Sequence, residues 1–215
     1  MNRLRPLFWA GGLALALAGP SPTRAAPVPA GQAAVAEKVL GQVRYISRHG
    51  VGHALKDGDA LFYEDRVVSG EDGRALLRLP NRAVVRLAAN SDLSLREPRG
   101  QGTYLGLLKG WARFLVGTRA AGAVFEVQTD NAVAAVKGTD MEVGKRPDQS
   151  TYACVYASDH KPALELRDLS GTAQVGVGAG EGATDKAGVI STFQLSDADR
   201  KKDAARFQGL PEPSL

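Results

Sequence analysis

From Val39 onward, apolar and polar residues alternate in short runs, broken every eight to ten residues by turn-forming pairs. In Ala75-Leu76-Leu77-Arg78-Leu79, residues Ala75, Leu77 and Leu79 share one face. After the Pro80-Asn81 turn, Ala83, Val85 and Leu87 do the same with Arg82 and Arg86 opposite, and Leu93 and Leu95 follow Asn90-Ser91. Successive strand residues point to opposite sides of a sheet, so a period of two marks a half-buried strand. Asp57-Gly58-Asp59 and Glu71-Asp72-Gly73 supply residues that tolerate positive φ between such strands. The same pattern predicts strands at 103–108, 111–116, 123–128, 132–136, 139–144, 151–157, 163–167, 172–177 and 188–194. An all-β domain of many short strands follows, either sandwich-like or a β-solenoid of stacked rungs. One short C-terminal helix is expected. Ser196-Asp197-Ala198-Asp199 offers a capping-box start, residues 197–206 tolerate helix, and Gly209-Leu210-Pro211 stops it. It reads as peripheral.

The first 37 residues follow another rule. Asn2-Arg3-Leu4-Arg5 is a positive start, and Leu7 to Ala18 is an apolar run closed by Gly19-Pro20. That run is shorter than the ~20 residues a bilayer-spanning helix needs. With small residues behind it, it has the form of an export leader. The leader is placed at 1–25, with cleavage between 25 and 36 and a flexible Ala/Pro/Gly lead-in over 26–37. The mature chain is therefore expected in the periplasm or secreted, without membrane insertion. The net charge of +4 in 215 residues changes little. Removing residues 1–25 takes three arginines and no acid, leaving 24 basic against 23 acidic side chains. Those cations are interspersed with carboxylates rather than gathered in a stripe, so nucleic acid is excluded as a partner.

Candidate chemistry is sparse. Cys154 is the single cysteine, so no internal disulfide forms, and its place in a predicted strand reads as core. His49 and His53 sit in a glycine-broken segment with no Cys or acid to complete a zinc set, and Asp57 and Asp59 lack further ligands for calcium. No cofactor or metal is expected. No nucleophile–base pairing, nucleotide loop or dinucleotide fingerprint is present, so the chain reads as non-enzymatic.

Several ordered blocks carry a resemblance. Leu55-Lys56-Asp57-Gly58-Asp59-Ala60-Leu61, Asp65-Arg66-Val67-Val68-Ser69-Gly70 and Asp72-Gly73-Arg74-Ala75 come first. Leu107-Leu108-Lys109-Gly110-Trp111, Phe125-Glu126-Val127-Gln128-Thr129 and Ala135-Val136-Lys137-Gly138-Thr139-Asp140 follow. This succession resembles the FecR domain of bacterial periplasmic proteins over residues 38–180, with 181–215 left as a strand, a short helix and a tail. Ser69 stands where that family usually has Thr, and Asp130-Asn131 where it often has Pro. The anti-sigma and membrane segments of full-length FecR regulators are not recognised in this sequence.

The family-motif residues Gly58, Asp59, Asp65, Arg66, Gly70, Gly73, Gly110, Thr129, Gly138 and Thr139 are read as structural, holding turns and close approaches. The resemblance implies a ligand- or protein-interaction module related to envelope signalling, with an unidentified envelope protein as partner. The alternative is a carbohydrate- or peptidoglycan-binding module contacting cell-wall glycan. It needs aromatics aligned on one exposed face, for which Tyr104, Trp111 and Tyr152 are the candidates.

Overall fold

The computed structural model describes residues 31–118 and 123–213; the leader and the start of its cleavage window lie outside the described residues. In chain order the first strands are β1 (Ala34–Leu40), β2 (Val43–Ile46), β3 (Gly52–Ala54), β4 (Ala60–Leu61), β5 (Arg66–Ser69), β6 (Arg74–Arg78), β7 (Val84–Leu87) and β8 (Asp92–Arg96). A long strand follows, β9 (Thr103–Val116). The rest are β10 (Phe125–Gln128), β11 (Ala132–Val136), β12 (Thr139–Lys145), β13 (Thr151–Ala157), β14 (Leu164–Asp168), β15 (Gln174–Val177), β16 (Glu181–Lys186) and β17 (Val189–Gln194), then helix α1 (Asp197–Arg206). Of the described residues 51% are strand and 6% helix, so the fold is all-β with a short C-terminal helix.

Pairing sorts the strands into two layers. The first runs β4-β1-β6-β7-β9-β12-β13-β16-β17, entirely antiparallel. The second runs β3-β2-β5-β8-β9-β10-β11-β14-β15, antiparallel except where β10 lies parallel to β9. Strand β9 belongs to both. Its residues 104–109 pair with β8 in the second layer, and 110–116 pair with β12 in the first. The corner is Gly110, at φ 80°, where a Cβ would lie 2.2 Å from Ser91 Oγ. The strands predicted at 103–108 and 111–116 are thus two halves of one bent strand.

The inner faces close on a single core. Leu77, Val85, Leu87, Phe114 and Met141 come from the first layer; Val67, Leu93, Leu107, Phe125 and Leu166 come from the second. Each such side chain contributes roughly 1.5–3 kcal/mol when fully buried. Phe114 and Phe125 meet edge-on across the layers, ring centres 5.9 Å apart. This is the sandwich of the two readings. Hairpins β10–β11, β12–β13, β14–β15 and β16–β17 alternate between the layers, whereas a solenoid would stack parallel rungs.

Three segments differ from the sequence reading. The lead-in read over 26–37 is not flexible at its end, because Ala34 and Ala36 are fully buried in β1 and Ala33 N donates to Leu61 O. Strand β16, in the segment left as a strand, helix and tail, has no apolar alternation of its own and is held by pairing to β13 and β17. The helix is not peripheral. Its capping box forms as expected between Ser196 and Asp199, but Asp203 is buried and Phe207, just beyond the helix, is fully enclosed. Among the described residues no helix is long and apolar enough to cross a membrane.

Candidate functional site

Helix α1 lies over the middle of the outer face of the first layer, and the side chains between them form a polar cluster. Strand alternation sends Trp111 and Arg113 from β9, Asp140, Glu142 and Gly144 from β12, and Tyr152, Cys154 and Tyr156 from β13 to that side. Cross-strand register sets Glu142 opposite both Arg113 and Cys154, and Gly144 opposite Trp111 and Tyr152. Gly144 makes room for an aromatic. A Cβ there would sit 2.1 Å from the Trp111 ring, which meets Tyr152 edge-on at 5.3 Å. Tyr152 in turn stacks on Phe193 of β17 at 5.2 Å.

Helix α1 lowers two charged groups onto this face. Arg206 lies 3.6 Å over the Trp111 ring and donates from Nη1 to Glu142 Oε1 and Asp203 Oδ1. The Tyr156 hydroxyl stands 2.7 Å from Glu142 Oε2 and 2.6 Å from Asp203 Oδ2. Arg113 is held bidentately by Asp140, at 2.8 and 2.6 Å, and lies 4.3 Å over the Tyr156 ring. The proton count is tight. One phenol proton faces two carboxyl groups, and one guanidinium serves both. Burial pushes Glu142 up to about 7; Arg206 opposes that rise and the neighbouring Asp203 adds to it. A carboxyl that keeps its proton to near neutrality satisfies the phenol and the guanidinium together.

Around the helix end, cations meet the last carbonyls, where the helix dipole favours them. Arg74 Nε donates to Arg206 O at 2.8 Å. Arg86, 4% exposed, reaches the carbonyls of Phe207 and Leu210 at 3.2 and 3.3 Å and pairs with Glu212 at 3.1 Å. Leu210 packs with Leu76 and Val84.

The remaining predicted positions divide by layer. Tyr104 is on the outer face of the second layer, while Trp111 and the buried Tyr152 lie under α1 on the first. These three candidates for a glycan contact therefore do not share one face: Tyr104 and Trp111 are an odd seven positions apart on β9, and the bend at Gly110 places them on the outer faces of different layers. Cys154 is buried, and burial pushes its thiol up to about 12, so it stays a thiol rather than a nucleophilic thiolate. His53 stacks on Tyr45 at 5.0 Å, and Asp57 is taken by Lys38 Nζ and Val39 N at 2.8 and 2.7 Å. Among the described residues no group of three or more His, Cys, Asp or Glu is placed to hold a metal ion.

The family-motif residues sit at turns and joints. Asp65, 3% exposed, accepts backbone N–H bonds from Arg48 and Phe62 and so ties two loops together. Asp59 accepts from Lys56 N at 2.8 Å, and Gly58 turns at φ 89°. Gly70 N donates to Gln42 O, and a Cβ on Gly73 would lie 2.2 Å from that same oxygen. Thr129 Oγ1 meets Thr151 Oγ1 at 2.6 Å, joining the layers, and Thr139 Oγ1 donates to Ala157 O after Gly138 turns at φ 129°. Arg66 pairs with Asp92 on the open face of the second layer, as Arg167 does with Glu126 and Arg96 with Gln128. Glu142, Tyr156, Asp203 and Arg206 escaped the sequence reading. The one local sign was polar residues at alternate positions of otherwise apolar strands, and their partners on α1 are 47 to 64 residues away.

The FecR protein family model matches residues 65–157, from the turn before β5 to the end of β13. This segment is a FecR domain. By fold, the chain is similar to two crystal structures, at 1.65 and 2.50 Å resolution, described as a candidate anti-sigma factor from Parabacteroides distasonis. Each matches with 22% identity and a TM-score of 0.55 over 67% of this chain. The chain spans 65% and 64% of the length of those two. No curated protein matches the chain significantly in sequence.

Proposed function

We propose that this FecR-domain protein is exported to the periplasm, catalyses nothing, and binds a protein partner of the cell envelope in signalling. The observation that carries the reading is the FecR match on a two-layer frame in which no described element covers the outer face of the second layer. On that face Arg66 pairs with Asp92, Arg96 with Gln128 and Arg167 with Glu126 across strands, a polar and laterally ordered surface suited to a protein. The polar groups of the first layer beneath α1 are engaged with one another rather than held open toward a substrate, which supports a non-catalytic reading.

The burial of β1 sharpens the leader. Cleavage after Ala36 would remove Ala34 and Ala36 from the core, which favours a cut after Ala25 or Ala30. Edman sequencing of protein recovered from the periplasm is expected to start at residue 26 or 31; a start at residue 37 contradicts this reading.

Cross-linking in cells, followed by pull-down and mass spectrometry, tests the function. Repeated capture of one envelope protein is the expected result. Co-sedimentation with peptidoglycan and no protein partner would replace this reading by the glycan-binding one.

A further inference from the structure

The two layers end in four strand edges, and three of them are blunted. Strand β4 is two residues long and β3 three. The edge of β15 has four residues and includes Gly176, whose Cβ position is 2.8 Å from Pro162. Strand β17 differs. Its six residues, Val189-Ile190-Ser191-Thr192-Phe193-Gln194, contain no charge, proline or glycine and are mostly β-branched or aromatic. Among the described residues it pairs only with β16, which leaves its other side unpaired. Natural sheets protect edges by shortness, charge, proline or cover, and an exposed uncharged edge of this length is a template for another strand.

We infer that β17 pairs antiparallel with β17 of a second copy of this chain, joining the first layers of two molecules into one continuous sheet about a twofold axis. This association is independent of the partner-binding reading above. A second copy is favoured by the strand's own pattern. A twofold perpendicular to a sheet pairs residues of the same face, and centring it on Ser191 sets Ser191 opposite itself, Val189 opposite Phe193 and Ile190 opposite Thr192. Small meets small at the axis, and an aliphatic meets an aromatic on the α1 side, where Phe193 already stacks on Tyr152. No like charges face each other. Val189, 67% exposed, is the most exposed large apolar residue described, and this register covers it. Head-to-tail stacking onto β3 or β4 is disfavoured by length, since neither matches six residues. A single strand edge is a small interface, so the dimer is concentration-dependent rather than obligate.

The test is sedimentation equilibrium of the mature protein over a wide concentration range, for the wild type, Ser191→Lys and the control Gln174→Lys on the β15 edge. Ser191 is exposed, and its substitution is checked by circular dichroism and Tm. The expected result is a monomer–dimer equilibrium weakened about tenfold or more by Ser191→Lys, where two like charges meet at the axis, and unchanged by Gln174→Lys. A Ser191→Cys variant gives a second readout. Opposed Cα atoms in an antiparallel pair are about 4.5–5.5 Å apart, within disulfide reach, and the native Cys154 is buried. Mild oxidation is expected to yield a covalent dimer through residue 191. Monomer at every concentration, indifference to Ser191→Lys, or growth beyond the dimer would each overturn the inference.

Discussion

The two layers share strand β9 and one core, yet their outer faces are finished in opposite ways. The second layer alternates apolar-in and polar-out, and its charges pair sideways in contact with water, as in Arg66–Asp92 and Arg167–Glu126. The middle of the first layer is buried on both sides, because β12 and β13 carry Glu142, Tyr152, Cys154 and Tyr156 under α1, while its edge strand β17 stays largely exposed. A helix with so few apolar residues cannot dock by hydrophobic burial alone, and Phe207 and Leu210 supply most of that part. Docking rests instead on desolvated charges. The same residue types are therefore worth different amounts on the two faces: paired carboxylates and guanidinia are cheap to change in water and costly to unpair under the helix.

Four measurements press on this contrast, the largest effect first. Arg206→Ala removes the cation that serves Glu142 and Asp203, and at pH 8 it is expected to cost about 3 kcal/mol in urea unfolding, the usual scale for an uncompensated buried charge. At pH 5, where Glu142 keeps its proton, the cost shrinks. A loss below 1 kcal/mol at pH 8 would mean that the cluster does not hold the helix.

The second is the pH dependence of the wild type. The folded-state value of Glu142, about 7, lies above its ordinary 4.5. The folded protein therefore holds this proton more tightly than the unfolded chain does. The resulting stability is complete below pH 4.5 and is lost as pH rises through 7. Roughly 2 kcal/mol is expected to disappear between pH 5 and 8, and Glu142→Gln, which cannot titrate, should flatten that slope.

Gly144→Ala comes third. Its Cβ would press on the Trp111 ring, and overpacking of this kind costs about 1.5 kcal/mol, visible as a lowered Tm. The smallest effect belongs to the open layer. Glu126→Ala breaks the pair with Arg167 on the solvent side and should change stability by less than about 1 kcal/mol, with little dependence on pH. A larger loss there would erase the distinction between the faces.

Much of the frame was legible because strands write their period locally. The predicted segments 132–136 and 151–157 coincide with β11 and β13, and the helix over 197–206 coincides with α1, whose capping box is a contact three residues long. The motif glycines also declared themselves, since a positive φ or a close approach, as at Gly110 and Gly73, is a local demand. Strand β16 did not. Glu181-Gly182-Ala183-Thr184-Asp185-Lys186 lacks alternation and becomes a strand because β13 and β17 flank it. The placing of the candidate aromatics was only half legible. Tyr104 and Trp111 are seven positions apart, an odd spacing that alternation alone sets on opposite faces of a straight strand; that the bend at Gly110 puts them in different layers is not written locally.

By itself the sequence determined the all-β class, the turns, the helix and its cap, and the blocks that mark a FecR domain. Each of these rests on interactions between residues near in the chain, or on composition. Only the tertiary structure decided the sandwich over the solenoid, the partition of outer faces into one open and one covered, and the meeting of Glu142, Tyr156, Asp203 and Arg206. Alternation says that a side chain leaves the sheet and on which side; it carries no record of what the chain later lays over that side. That depends on closure between segments dozens of residues apart, and such contacts exist only once the layers have packed.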